Sequence, residues 1–269
     1  MLTKLRPVTQ SVWMAVACGC CVMVTSLHLV SQTASAQTAP GKEAAKAPIY
    51  SKNFVGTPQF FTTQGESSAG TASIVQGPDG KSTYIITARH LLGPSGGFKS
   101  EVAAADVPAT VQSIVLTTFD GGTERKFNIK GIAVPVTGPE SSVASDLALF
   151  LLPNVSPPNY AATLAAKEPS VGDRVWVIAR VRGGVPEGQV VHPGRITAVE
   201  TIGSARILEM QYDNNNIVAN GASGSPVLNA AGEVVGICTG QGSEDGHKQA
   251  YIFGSKTIRK VIEDPASFK

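Results

Sequence analysis

The feature that most constrains this chain is its punctuation. From about Pro58 onward, short apolar and β-branched runs alternate with turn residues, and a 3.6-residue period shows only near the end. Residues 70–75 lead into Pro78-Asp79-Gly80, a hairpin turn signal, and then into residues 83–88. Residues 113–119 close at Asp120-Gly121-Gly122, and residues 126–134 and 147–152 add further strand-like pieces. Three prolines between Pro153 and Asn159 mark a connection. The same style then resumes at residues 174–179, 189–191, 195–199, 207–212 and 234–238. Many short strands with Gly-rich turns predict an all-β fold, a barrel or a sandwich. One helix is expected at the end, over Ser255–Glu263, with Ile258, Val261 and Ile262 on one side and Ser255 as its N-cap. The predicted halves are residues 56–155 and 156–269.

The N-terminus reads differently. Lys4 and Arg6 precede an apolar run over residues 11–30, and Ala34-Ser35-Ala36 follows before Gln37. A basic start, an apolar middle and a small-residue exit predict a signal peptide over residues 1–36, and hence a secreted or periplasmic protein. The competing reading is an uncleaved membrane anchor, since about 20 residues just span a bilayer. His28 inside the run argues against a span. Residues 37–55, rich in Ala, Lys, Pro and Thr, read as a flexible leader. Cleavage would remove Cys18, Cys20 and Cys21 and leave Cys238 alone, so no intramolecular disulfide is expected. Cys238 then reads as a small buried hydrophobe.

Charge excludes some functions. The chain carries 22 Lys+Arg against 20 Asp+Glu, which is no electrostatic footprint for nucleic acid. Dinucleotide-binding and phosphate-loop glycine patterns are absent. His192 and His247 lack metal-ligand spacing, so no metal is expected. Arg180, Arg182 and Arg195 read as a solvated basic face.

Three residues carry chemistry when taken together. His90 ends a strand-like run, Asp146 stands just before an apolar strand, and Ser223 lies in Gly221-Ala222-Ser223-Gly224-Ser225-Pro226. Each alone reads as a turn or surface residue. A nucleophilic serine, however, needs a base, because its hydroxyl is a weak nucleophile at neutral pH. The base needs a carboxylate to fix its tautomer, and the reaction needs N–H groups to hold an oxyanion. A glycine two residues before the serine lets the Gly221 and Ser223 N–H groups point the same way. His90 and Asp146 fall in the first half and Ser223 in the second, which predicts a site in the cleft between them.

At these residues the sequence resembles the chymotrypsin-fold, trypsin-like serine endopeptidases, and in particular the HtrA/DegP-type bacterial catalytic domain. Thr87-Ala88-Arg89-His90 is similar to the family's T-A-x-H segment, and Ser145-Asp146-Leu147-Ala148-Leu149 to its S-D-L-A-L segment. The Ser223 motif fits G-x-S-G-[GS]-P, and Gly70-Thr71-Ala72-Ser73-Ile74-Val75 is like the strand before the histidine loop. The resemblance covers roughly residues 56–260. It implies two antiparallel β-barrels, endopeptidase activity through an acyl-enzyme, and no cofactor. It makes His90 the general base, Asp146 its orienter, Ser223 the nucleophile, and Gly221 and Ser223 the oxyanion donors.

Some features depart from the family pattern. Ala222 replaces the usual Asp or Asn before the nucleophile. No PDZ domain is expected after the last helix. By the family's spacing, the primary pocket would take its base from Ile217 and Val218 and one wall from Cys238, Thr239 and Gly240. No acid falls at that base, so an apolar side chain is expected there rather than Lys or Arg. The substrate is expected to be a protein or peptide. The alternative reading is a non-catalytic peptide- or protein-binding module on the same fold.

Overall fold

The computed structural model describes residues 46–118, 124–128, 130–133, 143–152, 158–179, 190–215, 217 and 221–264. The expected signal peptide, Arg180, Arg182, Val218 and the turn at Asp120-Gly121-Gly122 lie outside them. Among the described residues the first half contains β1 (Val55–Thr62), β2 (Gly65–Ser68), β3 (Ala72–Gln76), β4 (Thr83–Thr87), a short helix α1 (Val107–Thr110), β5 (Val111–Thr118), β6 (Glu124–Asn128), β7 (Lys130–Ala133) and β8 (Ala148–Leu151), and β9 (Ala162–Thr163), past the expected boundary at residue 155, joins its sheet by pairing with β3. The second contains β10 (Arg174–Ile178), β11 (Val191–Ile202), β12 (Ala205–Tyr212), β13 (Pro226–Leu228), β14 (Val234–Glu244), β15 (His247–Gly254) and helix α2 (Ser255–Glu263).

The all-β expectation holds, and the two halves close differently. In the second, β10-β11-β12-β15-β14-β13 form a closed barrel. The first is a nine-stranded sheet in the order β6-β5-β1-β3-β4-β8-β7, with β2 on β1 and β9 on β3. Its outer strands β6 and β7 follow each other in the chain with one residue between them. The sheet must therefore curl until its ends meet.

Alternation along the central strands explains the packing. A strand sends successive side chains to opposite faces. Ile74 and Ile85 point into the core of the first half, with Phe60, Ile114 and Phe150. Their neighbours Val75 and Ile86 point the other way, into a cluster with Trp176, Ile178, Leu228 and Phe253 of the second half. In β10, Val175 and Val177 face the barrel interior while Trp176 and Ile178 join the shared cluster. Strands buried on both faces read as continuous apolar runs, which is why residues 83–88 and 174–179 stand out in the sequence. Each such large side chain contributes about 1.5–3 kcal/mol by burial. The shared cluster fixes one half against the other, as a site built from both requires.

Several local expectations need correction. The hairpin at Pro78-Asp79-Gly80 forms, and Asp79 accepts from Lys81 N–H, Ser82 N–H and the Ser82 hydroxyl. These donors pull its carboxyl down to about 2. Packed structure begins earlier than the expected leader boundary, because Phe54 and Val55 are fully buried in the shared cluster. The final helix spans the predicted residues, but Gly254 is its N-cap. Ser255 is already helical and donates its hydroxyl to Ala165 O at 3.3 Å. Strand β15 opens on the polar residues His247, Lys248 and Gln249 before its apolar run Ala250–Phe253, and pairing with both β12 and β14 holds it.

Candidate active site

The antiparallel register of β4 and β8 brings His90 and Asp146 together. Thr87 pairs with Ala148, so a residue three beyond Thr87 faces the turn just before Ala148. His90 sits there, in a 3-10 turn over Arg89–Leu92, and Asp146 directly follows a second 3-10 turn over Val143–Ser145. Asp146 grips His90 twice. Its Oδ1 accepts the His90 backbone N–H at 2.8 Å, and its Oδ2 lies 2.5 Å from Nδ1. An ionised carboxylate only accepts, so Nδ1 is the donor in this bond, and in the neutral ring Nε2 is the acceptor. The Asp146 side chain is 10% exposed and the His90 side chain 27% exposed. The ring can therefore meet a ligand while its carboxylate partner is shielded.

Ser223 lies on the loop between β12 and β13. Gly221 and Gly224 on either side have φ of 98° and 80°, a left-handed backbone that glycine adopts freely. The loop is fastened to both halves. On the second barrel, Gly224 N–H donates to Cys238 O at 2.7 Å and Cys238 N–H to Ser225 O at 2.8 Å. On the first sheet, Thr71 N–H donates to Ser223 O at 2.9 Å and the Thr71 hydroxyl to Gly221 O at 2.9 Å. Thr87, three residues before His90, donates its hydroxyl to Thr71 O at 2.7 Å. Serine loop and histidine strand thus share Thr71 as a joint. Among the described residues, the Gly221 and Ser223 N–H groups donate to no protein acceptor. Also among them, no hydrogen bond joins the Ser223 hydroxyl to His90.

The other expected site residues divide. Ile217 is half-buried against the interior of the second barrel, beside the cluster of Tyr212, Cys238 and Ile252. Thr239 is buried with its hydroxyl on Tyr251 O at 3.4 Å, and Gly240 faces the Tyr251 ring. Asp213, the nearest acid upstream of the serine loop, is paired with Arg174. Cys238 is fully buried, and burial pushes its thiol up to about 12. Ala222, the departure from the family motif, is 1% exposed. His192 is buried, edge-on to Tyr212 with ring centroids 6.2 Å apart. Among the described residues no group of three His, Cys, Asp or Glu side chains is placed to hold a metal.

Sequence reasoning missed two residues near the site. Thr71 had no motif of its own, only its place in a Gly-Thr-Ala step. Arg89 was legible only as the variable position before His90, yet it is 4% exposed.

Two β lobes with a carboxylate-held histidine on one and a glycine-flanked serine loop on the other define a protein of the chymotrypsin fold. Residues 70–237 match the model of the trypsin-like peptidase domain, and the chain belongs to that family. Several solved structures are similar to this chain. The HtrA-type protease AlgW with tripeptide is similar at a TM-score of 0.50 and 21% identity, over 79% of this chain and 60% of that one. A serine endoprotease from Yersinia pestis is similar at 0.48 and 20%, over 80% and 64%. The active form of the Rv3671c protease from M. tuberculosis is similar at 0.48 and 15%, over 85% and 95%. The chain thus spans about 60% of the length of AlgW. No curated protein matches.

Proposed function

We infer that this protein is an exported serine endopeptidase that cleaves peptide bonds through an acyl-enzyme. The observation that carries the reading is the double grip of Asp146 on His90, which in the neutral ring leaves Nε2 as the acceptor on a partly exposed side chain. In this mechanism His90 Nε2 takes the Ser223 hydroxyl proton as Oγ attacks the scissile carbonyl. Asp146 holds the tautomer and stabilises the imidazolium that forms. The Gly221 and Ser223 N–H groups, without protein acceptors among the described residues, suit the developing oxyanion. His90 then returns its proton to the leaving amine, and water repeats the sequence on the acyl-enzyme.

The peptide in the AlgW structure supports a protein or peptide substrate here. Ile217 beside an apolar barrel interior, and Asp213 already engaged by Arg174, support an apolar side chain before the scissile bond. Peptide anilides with apolar or basic residues at that position test it; preferred cleavage after Lys or Arg would refute it. Export rests on the N-terminal pattern of residues 1–36. N-terminal sequencing of the exported protein should begin at or near Gln37, and Met1 in a membrane pellet would favour the anchor.

A non-catalytic binding module is the second reading, favoured by the missing Ser223–His90 hydrogen bond. Such bonds are often loose before substrate binds. A fluorophosphonate probe decides: labelling of Ser223 in the intact protein, lost in Ser223→Ala together with casein cleavage, is the expected result. An unlabelled Ser223 would favour the binding module.

A further inference from the structure

Arg89 is a cation in the interior, and burying a guanidinium is costly unless its donors are used. It precedes His90 directly and is only 4% exposed. Its Nε donates to Ser145 O at 3.2 Å, and its Nη1 donates to Val102 O at 3.3 Å. Ser145 directly precedes Asp146 and ends the 3-10 turn Val143–Ser145. The last carbonyls of a helical turn have no partner within it. Arg89 supplies one. The planar fork therefore joins three segments: the turn that carries His90, the turn that delivers Asp146, and the chain at Val102, whose side chain packs with Leu91, Leu92 and Phe98.

The consequence concerns geometry at the pair. His90 and Asp146 are held by two hydrogen bonds, at 2.8 and 2.5 Å, and both depend on where the Asp146 main chain sits. The β4–β8 ladder sets that position only as far as the pair Thr87 and Ala148. Asp146 and Leu147 lie beyond the ladder, and the Arg89 fork is a direct side-chain tie from the histidine turn to the Val143–Ser145 turn that delivers Asp146. We propose that Arg89 is a positioning residue for the reaction, clasping the Asp146 turn to the His90 turn so that the carboxylate meets the imidazole in register. The inference rests on the roles given above to His90, Asp146 and Ser223. Arg89 touches neither substrate nor the reacting atoms and acts through Asp146.

A double-mutant cycle separates positioning from general support of the fold. Arg89→Met keeps length and apolar stem but removes the donors. In the otherwise intact chain it should lower kcat about 10- to 100-fold, the scale of a misplaced catalytic group. KM should stay within about threefold, because no substrate contact is lost. In an Asp146→Asn background the same change should cost less than about threefold, since the register it protects no longer matters. Arg89→Lys, which places a point charge where a fork stood, should fall between. If Arg89→Met does not fold, the cycle is run with Arg89→Lys. There the proton resonance of the His90 Nδ1–H, far downfield in a carboxylate-bonded imidazole, should shift or broaden. Equal losses in both backgrounds, or activity within about twofold of the intact chain, would overturn the proposal. Fluorophosphonate labelling of Ser223 in the intact chain is run alongside. Its absence would instead overturn the catalytic reading itself.

Discussion

Replacing Gly224 by alanine tests how tightly the serine loop is seated on the histidine strand. Two terms add. The backbone at Gly224 has φ of 80°, where a side chain costs about 1–2 kcal/mol. A Cβ there would also stand 2.1 Å from Thr71 O, 2.3 Å from Thr87 Oγ1 and 3.0 Å from Ala88 N. Two of these are main-chain atoms of residues that flank β3 and β4. The third cannot swing aside without giving up its 2.7 Å bond to Thr71 O. Overpacking of this kind costs about 1–3 kcal/mol more, so Gly224→Ala should destabilise the protein by about 3 kcal/mol. Gly172→Ala is the control. Its φ is 92°, yet nothing lies within 4 Å of its Cβ, so only the first term applies. Urea unfolding of the two variants, compared at equal slope, isolates the steric part. Gly224→Ala should be the less stable by at least 1 kcal/mol or so, and it should lose activity because Thr71 and Ser223 are forced apart. Equal midpoints for the two variants would show that the loop is not seated as described.

Two further outcomes follow from the site. Asp146→Asn should lower kcat by roughly 10³–10⁴ while the fold survives, because an amide can hold the imidazole in the wrong tautomer; an unaffected rate would remove Asp146 from the mechanism. Cys238 should resist iodoacetamide at pH 8 in the native protein and react on unfolding, read by mass spectrometry of its peptide. Its thiol, which loses its proton near 9 in the unfolded chain, holds it to about 12 when folded. The unfolded state therefore binds fewer protons above pH 9, so this contribution is whole below pH 9 and lost as pH rises toward 12, up to about 4 kcal/mol. Stability to urea that is flat from pH 8 to about pH 11 would refute that account.

Much of this protein was written locally. Strands buried on both faces need unbroken apolar stretches, so residues 83–88 and 174–179 were visible as strands before their neighbours were known. Pro78-Asp79-Gly80 specified its own turn because Asp79 bonds to donors two and three residues away. Ile258, Val261 and Ile262 specified the last helix by spacing alone. His90, Asp146 and Ser223 could be singled out because each lies in a short motif. Tertiary structure decided what depends on residues distant in the chain. Ser255 could not be told from a cap until Ala165 O was seen to hold its hydroxyl. The polar opening of strand β15, His247 to Gln249, is strand because β14 pairs with it and β12 joins at Gln249. Thr71 and Arg89 carry no signal of their own. Their importance comes from carbonyls on other segments, Gly221 and Ser223 for the one and Ser145 and Val102 for the other. A hydrogen bond to a main-chain oxygen requires no particular side chain on the acceptor residue, so it leaves no mark there in the sequence.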